Sequence, residues 1–248
     1  MSSPAERFAA AARRSREKSP ELEAFTASLP FVLDDFQVRA CRALAAGDTV
    51  LVAAPTGSGK TVVGEFAVHL ALAAGSRAFY TTPIKALSNQ KYAELVERYG
   101  EDSVGLLTGD NSINGDASVV VMTTEVLRNM LYEQSNGLVG LSHVVMDEVH
   151  YLADRTRGAV WEEVLIQLPE SVTVAALSAT VSNAEEFGDW LAAVRGSATV
   201  IVEEHRPVPL FQHVAVGSGL HDLYADGEAG RLNPELERQA RDARQAEK

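Results

Sequence analysis

Two adjacent carboxylates, Asp147 and Glu148, follow an apolar segment, VVM, at residues 144–146. Two like charges side by side are costly to bury unless a cation, a basic side chain or water neutralises them. A source of such a cation is indicated by the upstream segment LVAAPTGSGKT, residues 51–61. It has the pattern of a phosphate-binding loop between a strand and a helix, and such loops bind nucleotides together with Mg²⁺. Together the two segments predict a site for a nucleoside triphosphate and Mg²⁺.

The loop pattern gives a role to each kind of residue in it. Gly57 and Gly59 let the backbone turn its N–H groups towards phosphate oxygens, and a helix that begins near Thr61 directs its positive end to the same place. Lys60 would reach the β- and γ-phosphates, and the Thr61 hydroxyl would bind Mg²⁺. Ala54 stands where the general pattern has glycine, which weakens the match, but the strand and helix context restores it. The predicted nucleotide-binding residues of the loop are Pro55, Thr56, Gly57, Ser58, Gly59, Lys60 and Thr61.

The two carboxylates complete the predicted site. Asp147 would hold Mg²⁺, usually through water, and Glu148 would orient or deprotonate the attacking water. Taken alone, an Asp-Glu pair is more often a solvated acidic turn, so this prediction depends on the phosphate-binding loop. We therefore expect ATP as the nucleotide and Mg²⁺ as the cofactor, with Thr61 and Asp147 as the metal ligands.

The elements that must position these residues alternate between short β-rich runs and helical patterns, which is typical of βαβ units. Several runs are apolar throughout, as strands covered on both faces should be. The sequence thus predicts an α/β fold: a doubly wound, mostly parallel sheet with helices on both faces and ligands at the carboxyl ends of its strands. The predicted strands are 50–53, 78–82, 104–107, 119–123, 144–147, 172–178 and 199–202, and the predicted helices are 34–46, 61–74, 84–99, 125–132, 160–168 and 184–194.

Composition limits the classes of protein to consider. A chain of 248 residues, 46% of them hydrophobic, can bury one good core, so one principal domain is expected. With 34 acidic and 22 basic side chains the net charge is -12, which argues against nonspecific electrostatic wrapping of nucleic acid. The single cysteine, Cys41, suits a reducing cytoplasm. The sequence has no apolar run of about 18 residues or more, so we expect no membrane span and a cytoplasmic location.

Both ends of the chain depart from the alternating pattern. Residues 1–24 are rich in arginine, are broken by acids and have no apolar signal core, so we expect a mobile or helical arm there. The segment EEHRPVPLFQHV after Val202 carries two prolines and predicts an extended connection. The polar tail that follows predicts no core of its own. The expected domains are therefore an N-terminal arm at 1–24, an ATP-binding lobe at 25–205, and a linker and polar tail at 206–248.

A family resemblance extends over about residues 25–214. APTGSGKT, DEVH at 147–150 and SAT at 178–180 resemble motifs I, II and III of superfamily-two helicases of the DExH kind. TTPIKALSNQKY, LLTGD, TTEVLRNMLY, LSATVSNAEEFGDWL and EHRPVP further resemble the superkiller-type RNA helicases, and within them the bacterial HelY-type branch. The resemblance implies a RecA-like P-loop NTPase domain. It also implies the first lobe of an ATP-dependent RNA helicase, which when complete couples ATP hydrolysis to movement on RNA or to its unwinding.

The same resemblance implies roles for individual side chains. Gln37 matches the glutamine that reads adenine, and Phe31 is the candidate for stacking on the base. His150 matches the motif II histidine near the γ-phosphate, although a lone histidine is more often structural. Ser178 and Thr180 match the residues that link hydrolysis to strand opening. The predicted catalytic residues are Lys60, Asp147, Glu148, His150, Ser178 and Thr180.

Polar residues at three strand ends are the candidates for contact with nucleic acid. A strand end beside a helix start offers N–H groups and hydroxyls to successive phosphates without a large basic patch, which suits an acidic protein. The backbone of single-stranded RNA would be read, with little base preference. Lys91 and Arg128 are further candidates, although a solvated helix face is the commoner role for such residues. The candidates at the strand ends are Thr82, Pro83, Lys85, Thr108, Gly109, Thr123 and Thr124.

Helicases of this type need a second RecA-like lobe that carries an arginine finger. After Val202 the only Gly-Arg step is in AGRLN at 229–233, within the polar tail, so we expect the first lobe alone and weak hydrolysis. Two alternatives stay open: a non-catalytic module that holds nucleotide, RNA or a partner protein, and the first lobe of a related DNA helicase. Intact Lys60, Asp147 and Glu148 favour a helicase. The WEEVLIQLP and EHRPVP stretches favour RNA by resemblance.

Overall fold

The structure is a computed structural model that describes residues 19–153, 158–179, 184–216, 219–225 and 231–246. The chain divides into two compact units, Met1–His205 and Arg206–Lys248. The domain roles that we assign from the sequence stay predictions. None of the helices within the described ranges is both long and apolar enough to cross a membrane.

One eight-stranded sheet forms the centre of the first unit. Its strands are β1 (Thr49–Ala53), β2 (Arg77–Thr82), β3 (Val104–Thr108), β4 (Asn111–Ile113), β5 (Val119–Thr123), β6 (Leu141–Met146), β7 (Thr173–Ser178) and β8 (Ala198–Val202). Across the sheet they lie in the order β4-β3-β5-β2-β6-β7-β1-β8. All neighbouring pairs are parallel except β3 and β4, which form an antiparallel hairpin. The carboxyl ends of the parallel strands therefore share one edge of the sheet.

Helices cover both faces of this sheet. They are α1 (Pro20–Ala27), α2 (Asp35–Ala45), α3 (Thr61–Ala73), α4 (Lys85–Tyr99), α5 (Thr124–Tyr132), α6 (Gly158–Gln167) and α7 (Ala184–Arg195). Side chains of β1 alternate between two cores: Val50 and Val52 pack with α1 to α4, and Leu51 packs with α5 to α7. This period of two places every second residue of a fully buried strand in a different core. The predicted doubly wound, mostly parallel α/β sheet is confirmed.

The predicted elements of this unit are present, and the differences are at their ends. The largest shift is at β6, which begins at Leu141, three residues before the predicted start at Val144. Strand β4 is absent from the prediction because its three exposed residues have no apolar alternation. It forms because the turn after β3 folds the chain back, so that Thr108 pairs with Asn111.

Helix α1 shows that folded structure begins earlier than the sequence predicts. The Ser19 hydroxyl accepts a hydrogen bond from Leu22 N at 3.2 Å, and Pro20 occupies the first turn, so the helix has a regular N-terminus. Leu22 and Phe25 are buried in the core, and the Phe25 ring meets the Phe66 ring edge-on at 5.2 Å. The predicted boundary between arm and lobe, at residue 24, therefore falls inside a packed helix.

The second unit contains more regular structure than its polar sequence predicts. Strands β9 (His213–Val216) and β10 (Gly219–Asp222) pair antiparallel, and helix α8 (Pro234–Ala246) follows. Asn233 begins that helix: its Oδ1 accepts from Glu235 N at 3.0 Å, and its Nδ2 donates to Asp222 O at 2.9 Å. The apolar residues are too few and too widely spaced to give a clear pattern. They surround a cavity of about 370 Å³ that is lined by Val214, Val216, Leu223, Leu232, Leu236, Glu237, Gln239 and Ala240.

Candidate functional site

The phosphate-binding loop connects β1 to α3. Gly57 and Gly59 have φ angles of 86° and 78°, in the left-handed region that favours glycine, so they can turn successive N–H groups inward. The Ser58 hydroxyl is buried and has no hydrogen-bond partner among the described residues. Lys60 is also buried, directly before the first turn of the helix. Backbone N–H groups beside these glycines, an unpartnered hydroxyl and the side chain of a buried lysine suit a phosphate group.

The acid pair lies at the carboxyl end of β6. Asp147 N donates to Thr81 O at 3.0 Å, which extends the sheet by one residue. The Asp147 carboxylate accepts two hydrogen bonds, one on Oδ1 from Glu148 N at 2.9 Å and one on Oδ2 from the Tyr80 hydroxyl at 2.8 Å. Glu148 has a φ of 57°, which costs a residue with a Cβ roughly 1–2 kcal/mol. Strain of this kind at an acidic residue is typical of functional sites.

One cavity of about 390 Å³ connects the loop to the acid pair. Thr61, at the start of α3, lines it together with Asp147 and Glu148. Hydroxyl and carboxylate oxygens are the ligands that Mg²⁺ prefers. The fold thus brings together the two predicted metal ligands, although they are far apart in the sequence. The other residues that line this cavity are Thr82, Leu87, Gln90, Lys91 and Glu94.

The remaining predicted catalytic residues lie next to the acid pair, next to the phosphate-binding loop or outside the described ranges. His150 is on a short 3₁₀ turn after the acid pair, and its Nδ1 is 3.1 Å from Oε2 of Glu148. Ser178 ends β7, and its carbonyl accepts from Ala54 N at 3.1 Å, so it adjoins the start of the phosphate-binding loop. Thr180 lies outside the described residues. The structure thus brings His150 close to the acid pair and Ser178 close to the loop, and their catalytic roles stay predictions.

The Gln37 amide contacts the phosphate-binding loop in this structure. Only 3% of its surface is exposed, and its Nε2 donates to Gly59 O at 3.1 Å and to Ser58 O at 3.4 Å. Its Oε1 accepts from Asp34 N at 2.9 Å. In this structure the amide holds the phosphate-binding loop, so contact with a base would require these bonds to change. Phe31 is 49% exposed and so available for stacking.

The three predicted nucleic-acid strand ends lie side by side. Thr82 of β2 is in register with Thr123 of β5, whose other neighbour, β3, ends at Thr108. The Thr82 hydroxyl pairs with the Ser88 hydroxyl at 2.7 Å, and the Thr124 hydroxyl donates to Thr82 O at 3.3 Å. These hydroxyls are buried within the chain, so a phosphate contact there would depend on backbone N–H groups. Pro83 is buried and Gly109 is exposed.

An exposed acid, Asp110, links two of the candidate positions. Asp110 accepts hydrogen bonds from the Lys85 ammonium and, at 3.1 Å, from the Thr108 hydroxyl. The bonds from Lys85 and then Thr108 hold the pKa of the Asp110 carboxyl below its usual value. The carboxylate thus bridges a hydroxyl and an ammonium group, both of which the sequence predicts as ligands of an RNA phosphate. The sequence pattern does not single out Asp110, because acids in turns are common.

Helix α4 gives Lys91, one of the further candidates from the sequence, a buried position. Lys91 is only 8% exposed, so it is not part of a solvated face. It pairs with Glu94, and its Nζ lies 5.4 Å from the centre of the Tyr80 ring. The sequence analysis does not single out Tyr80, and its one signal is a tyrosine within a buried strand, because a buried hydroxyl requires a partner.

A parallel sheet with a phosphate-binding loop after one strand and an acid pair after another defines a P-loop nucleoside triphosphatase domain of the RecA-like class. The family model for DEAD/DEAH box helicases matches residues 34–187, which is more than half of the chain. The chain therefore belongs to the DEAD/DEAH box helicase family.

Curated relatives are similar over most of this chain but are much longer. "Probable helicase HelY" of Mycobacterium tuberculosis is 67% identical over 233 residues, which are 92% of this chain and 26% of that protein. "DExH-box ATP-dependent RNA helicase DExH15 chloroplastic" of Arabidopsis thaliana is 50% identical over 73% of this chain and 16% of its own length. "Exosome RNA helicase MTR4" of Homo sapiens is 47% identical over 77% of this chain and 18% of its own. The chain thus spans about a quarter or less of these relatives.

Solved structures share the fold at lower identity. The DUF1998 helicase MrfA, bound to DNA, has a TM-score of 0.61 and 21% identity over 75% of this chain and 29% of its own. A hypothetical ATP-dependent RNA helicase from Sulfolobus tokodaii has a TM-score of 0.58 and 19% identity over 75% of this chain and 57% of its own. These likenesses support the RecA-like architecture.

Proposed function

We propose that this chain is the ATP-binding lobe of an ATP-dependent helicase that acts on RNA. The observation that carries the proposal is the single cavity that unites Thr61 with Asp147 and Glu148 beside the phosphate-binding loop. A module that only held a partner protein would not require a strained glutamate and a metal-type donor set at the mouth of such a loop.

Residues of the loop would bind the triphosphate. The N–H groups turned inward by Gly57 and Gly59, with the first turn of α3, would cradle phosphate oxygens, and the Lys60 ammonium would neutralise their charge. The Thr61 hydroxyl and the Asp147 carboxylate would hold Mg²⁺. The ion, when bound, stabilises negative charge that develops on the transferred phosphoryl group.

Glu148 would act on the attacking water. Its carboxylate lines the cavity and would accept a proton from water as the water oxygen attacks the γ-phosphorus and ADP departs. His150, whose Nδ1 lies 3.1 Å from that carboxylate without making a hydrogen bond to it, would restrict its movement by proximity. We propose that a second RecA-like lobe supplies the arginine finger, so the lobe alone turns over slowly.

RNA is the proposed substrate because relatives at 47% and 50% identity are named RNA helicases. The adjacent ends of β2, β3 and β5, with the N-termini of α4 and α5, offer N–H groups to a phosphate backbone. A backbone reader of this kind binds single strands with little base preference. A DNA substrate is the competing proposal, and a direct comparison of the two polymers decides between them.

The test of the chemistry is ATP hydrolysis and nucleotide binding by the purified chain, with and without single-stranded RNA. Lys60→Ala is the blank for contaminating ATPases and should lose both binding and turnover. Glu148→Gln should keep ATP binding and lose turnover. Binding without turnover in the wild-type chain would indicate a lobe that needs its partner lobe, whereas no binding at all would refute the proposal.

The test of the substrate is binding of single-stranded RNA and DNA of the same base sequence at the same ionic strength. Salt must be matched because phosphate contacts make affinity depend on it. Tighter binding of RNA supports the proposal. Equal or tighter binding of DNA would replace it with the DNA helicase alternative.

A further inference from the structure

A completely buried tyrosine contacts the acid pair from the neighbouring strand. Tyr80 is in β2, and its hydroxyl donates to Oδ2 of Asp147, at the end of β6, at 2.8 Å. A buried hydroxyl without a partner costs roughly 1–3 kcal/mol. Phenylalanine would fill the same space without that requirement. The presence of tyrosine instead of phenylalanine therefore points to a role for its hydrogen bond to Asp147.

Two donors hold the Asp147 carboxylate from different sides. Tyr80 donates to Oδ2, and Glu148 N donates to Oδ1 at 2.9 Å. An ionised carboxylate has about four acceptor positions, so each oxygen keeps capacity for water or a metal ion. The Asp147 carboxylate is thus held in one orientation and can still accept a metal ion or water. The Tyr80 hydroxyl is fully buried, whereas Asp147 is only partly buried and lines the cavity.

Helix α4 places a lysine side chain over the tyrosine ring. The Lys91 ammonium lies 5.4 Å from the ring centre and pairs with Glu94, and both residues line the cavity that contains Asp147. A cation near an aromatic face is attracted to it. A tyrosine hydroxyl has an ordinary pKa of about 10, so it is protonated at neutral pH and can donate to the carboxylate.

We propose that Tyr80 is a positioning residue for the Mg²⁺ site: its hydroxyl holds Asp147 in the orientation that receives the ion and its water. The inference rests on the proposed function, and it goes beyond it by assigning a role to a residue outside the phosphate-binding loop and the acid pair. Hydrogen-bond partners of metal-binding carboxylates typically contribute about 10- to 100-fold in metal affinity.

The substitution Tyr80→Phe removes only the hydroxyl. Binding of a fluorescent ADP to the purified chain is measured during a Mg²⁺ titration and again in EDTA. The Mg²⁺ concentration for half-maximal binding should rise roughly ten-fold or more, whereas ADP affinity in EDTA should not change. Tyr99→Phe is the matched control on α4: the buried Tyr99 hydroxyl has no partner among the described residues, so its removal should leave the Mg²⁺ requirement unchanged.

The possible results separate the inference from the function beneath it. An unchanged Mg²⁺ requirement in Tyr80→Phe would overturn the inference and leave the proposed function standing. An equal loss of ADP affinity with and without Mg²⁺ would indicate a purely structural role and would overturn it too. If the wild-type chain binds ADP no better than Lys60→Ala does, the proposed function fails and the inference fails with it.

Discussion

The substitution Gly64→Ala tests whether the helix after the phosphate-binding loop must lie close to the sheet. A Cβ at Gly64 would lie 2.8 Å from Val145 Cγ1, 3.1 Å from Leu177 Cδ1 and 3.3 Å from Tyr80 Cε2. All three atoms belong to the buried strands β6, β7 and β2. The added methyl group must therefore move α3 away from the sheet or force its neighbours from their positions.

Two effects of opposite sign determine the size of the change. Overpacking a dense core costs about 1–3 kcal/mol. Replacing glycine with alanine inside a helix returns up to about 1 kcal/mol. The net loss in the free energy of unfolding should be about 1 kcal/mol. For a unit of about 200 residues, that lowers the melting temperature by about 2–4 °C. Nucleotide affinity should fall as well, because α3 begins at the loop.

Thermal unfolding followed by circular dichroism, with nucleotide titration alongside, measures both effects. Gly109→Ala is the matched control, because Gly109 has open space around the position of a Cβ and an ordinary φ. That variant should be as stable as the wild type or slightly more stable. A Gly64→Ala protein that melts at or above the wild-type temperature would refute the reasoning about close packing.

Two further predictions concern charge. Asp110→Asn should tighten binding of single-stranded RNA a few-fold, because the substitution frees Lys85 and Thr108 to contact phosphate. Asp102→Asn, at the other end of β3, is the control for the loss of one negative charge and should have a smaller effect. Equal effects of the two substitutions in a fluorescence anisotropy titration would refute a local origin. Burial lowers the pKa of His143 from 6.5 to about 4. The unfolded chain therefore binds a proton in this interval that the folded chain does not, and stability should fall as pH drops from about 6.5 to about 4. Urea unfolding should show a weaker pH dependence in His143→Gln, and an unchanged one would contradict this assignment.

Local patterns in the sequence predicted the parts of the site that are contiguous in the chain. The phosphate-binding loop is one segment with fixed glycine positions, and the strands beside it are recognisable because they are buried on both faces. The register that sets Tyr80 beside Asp147 was not predictable, because it depends on how two strands far apart in sequence align. The hydrogen bond from the Gln37 amide to Gly59 O was likewise not predictable, because it depends on how α2 packs against the loop. The second unit was missed because it has few apolar residues with no clear period.

The position of strand β1 between β7 and β8 affects how this lobe folds during synthesis on the ribosome. It is synthesised before every other strand of the sheet, yet its two partners, β7 and β8, are synthesised last. Pairing at such a distance in sequence is slow, because a long loop must close before any contact forms. Until Val202 has emerged, the apolar strand that carries the nucleotide loop has an open edge and no complete core. A stalled or prematurely terminated chain would therefore expose an unpaired apolar strand, which promotes aggregation.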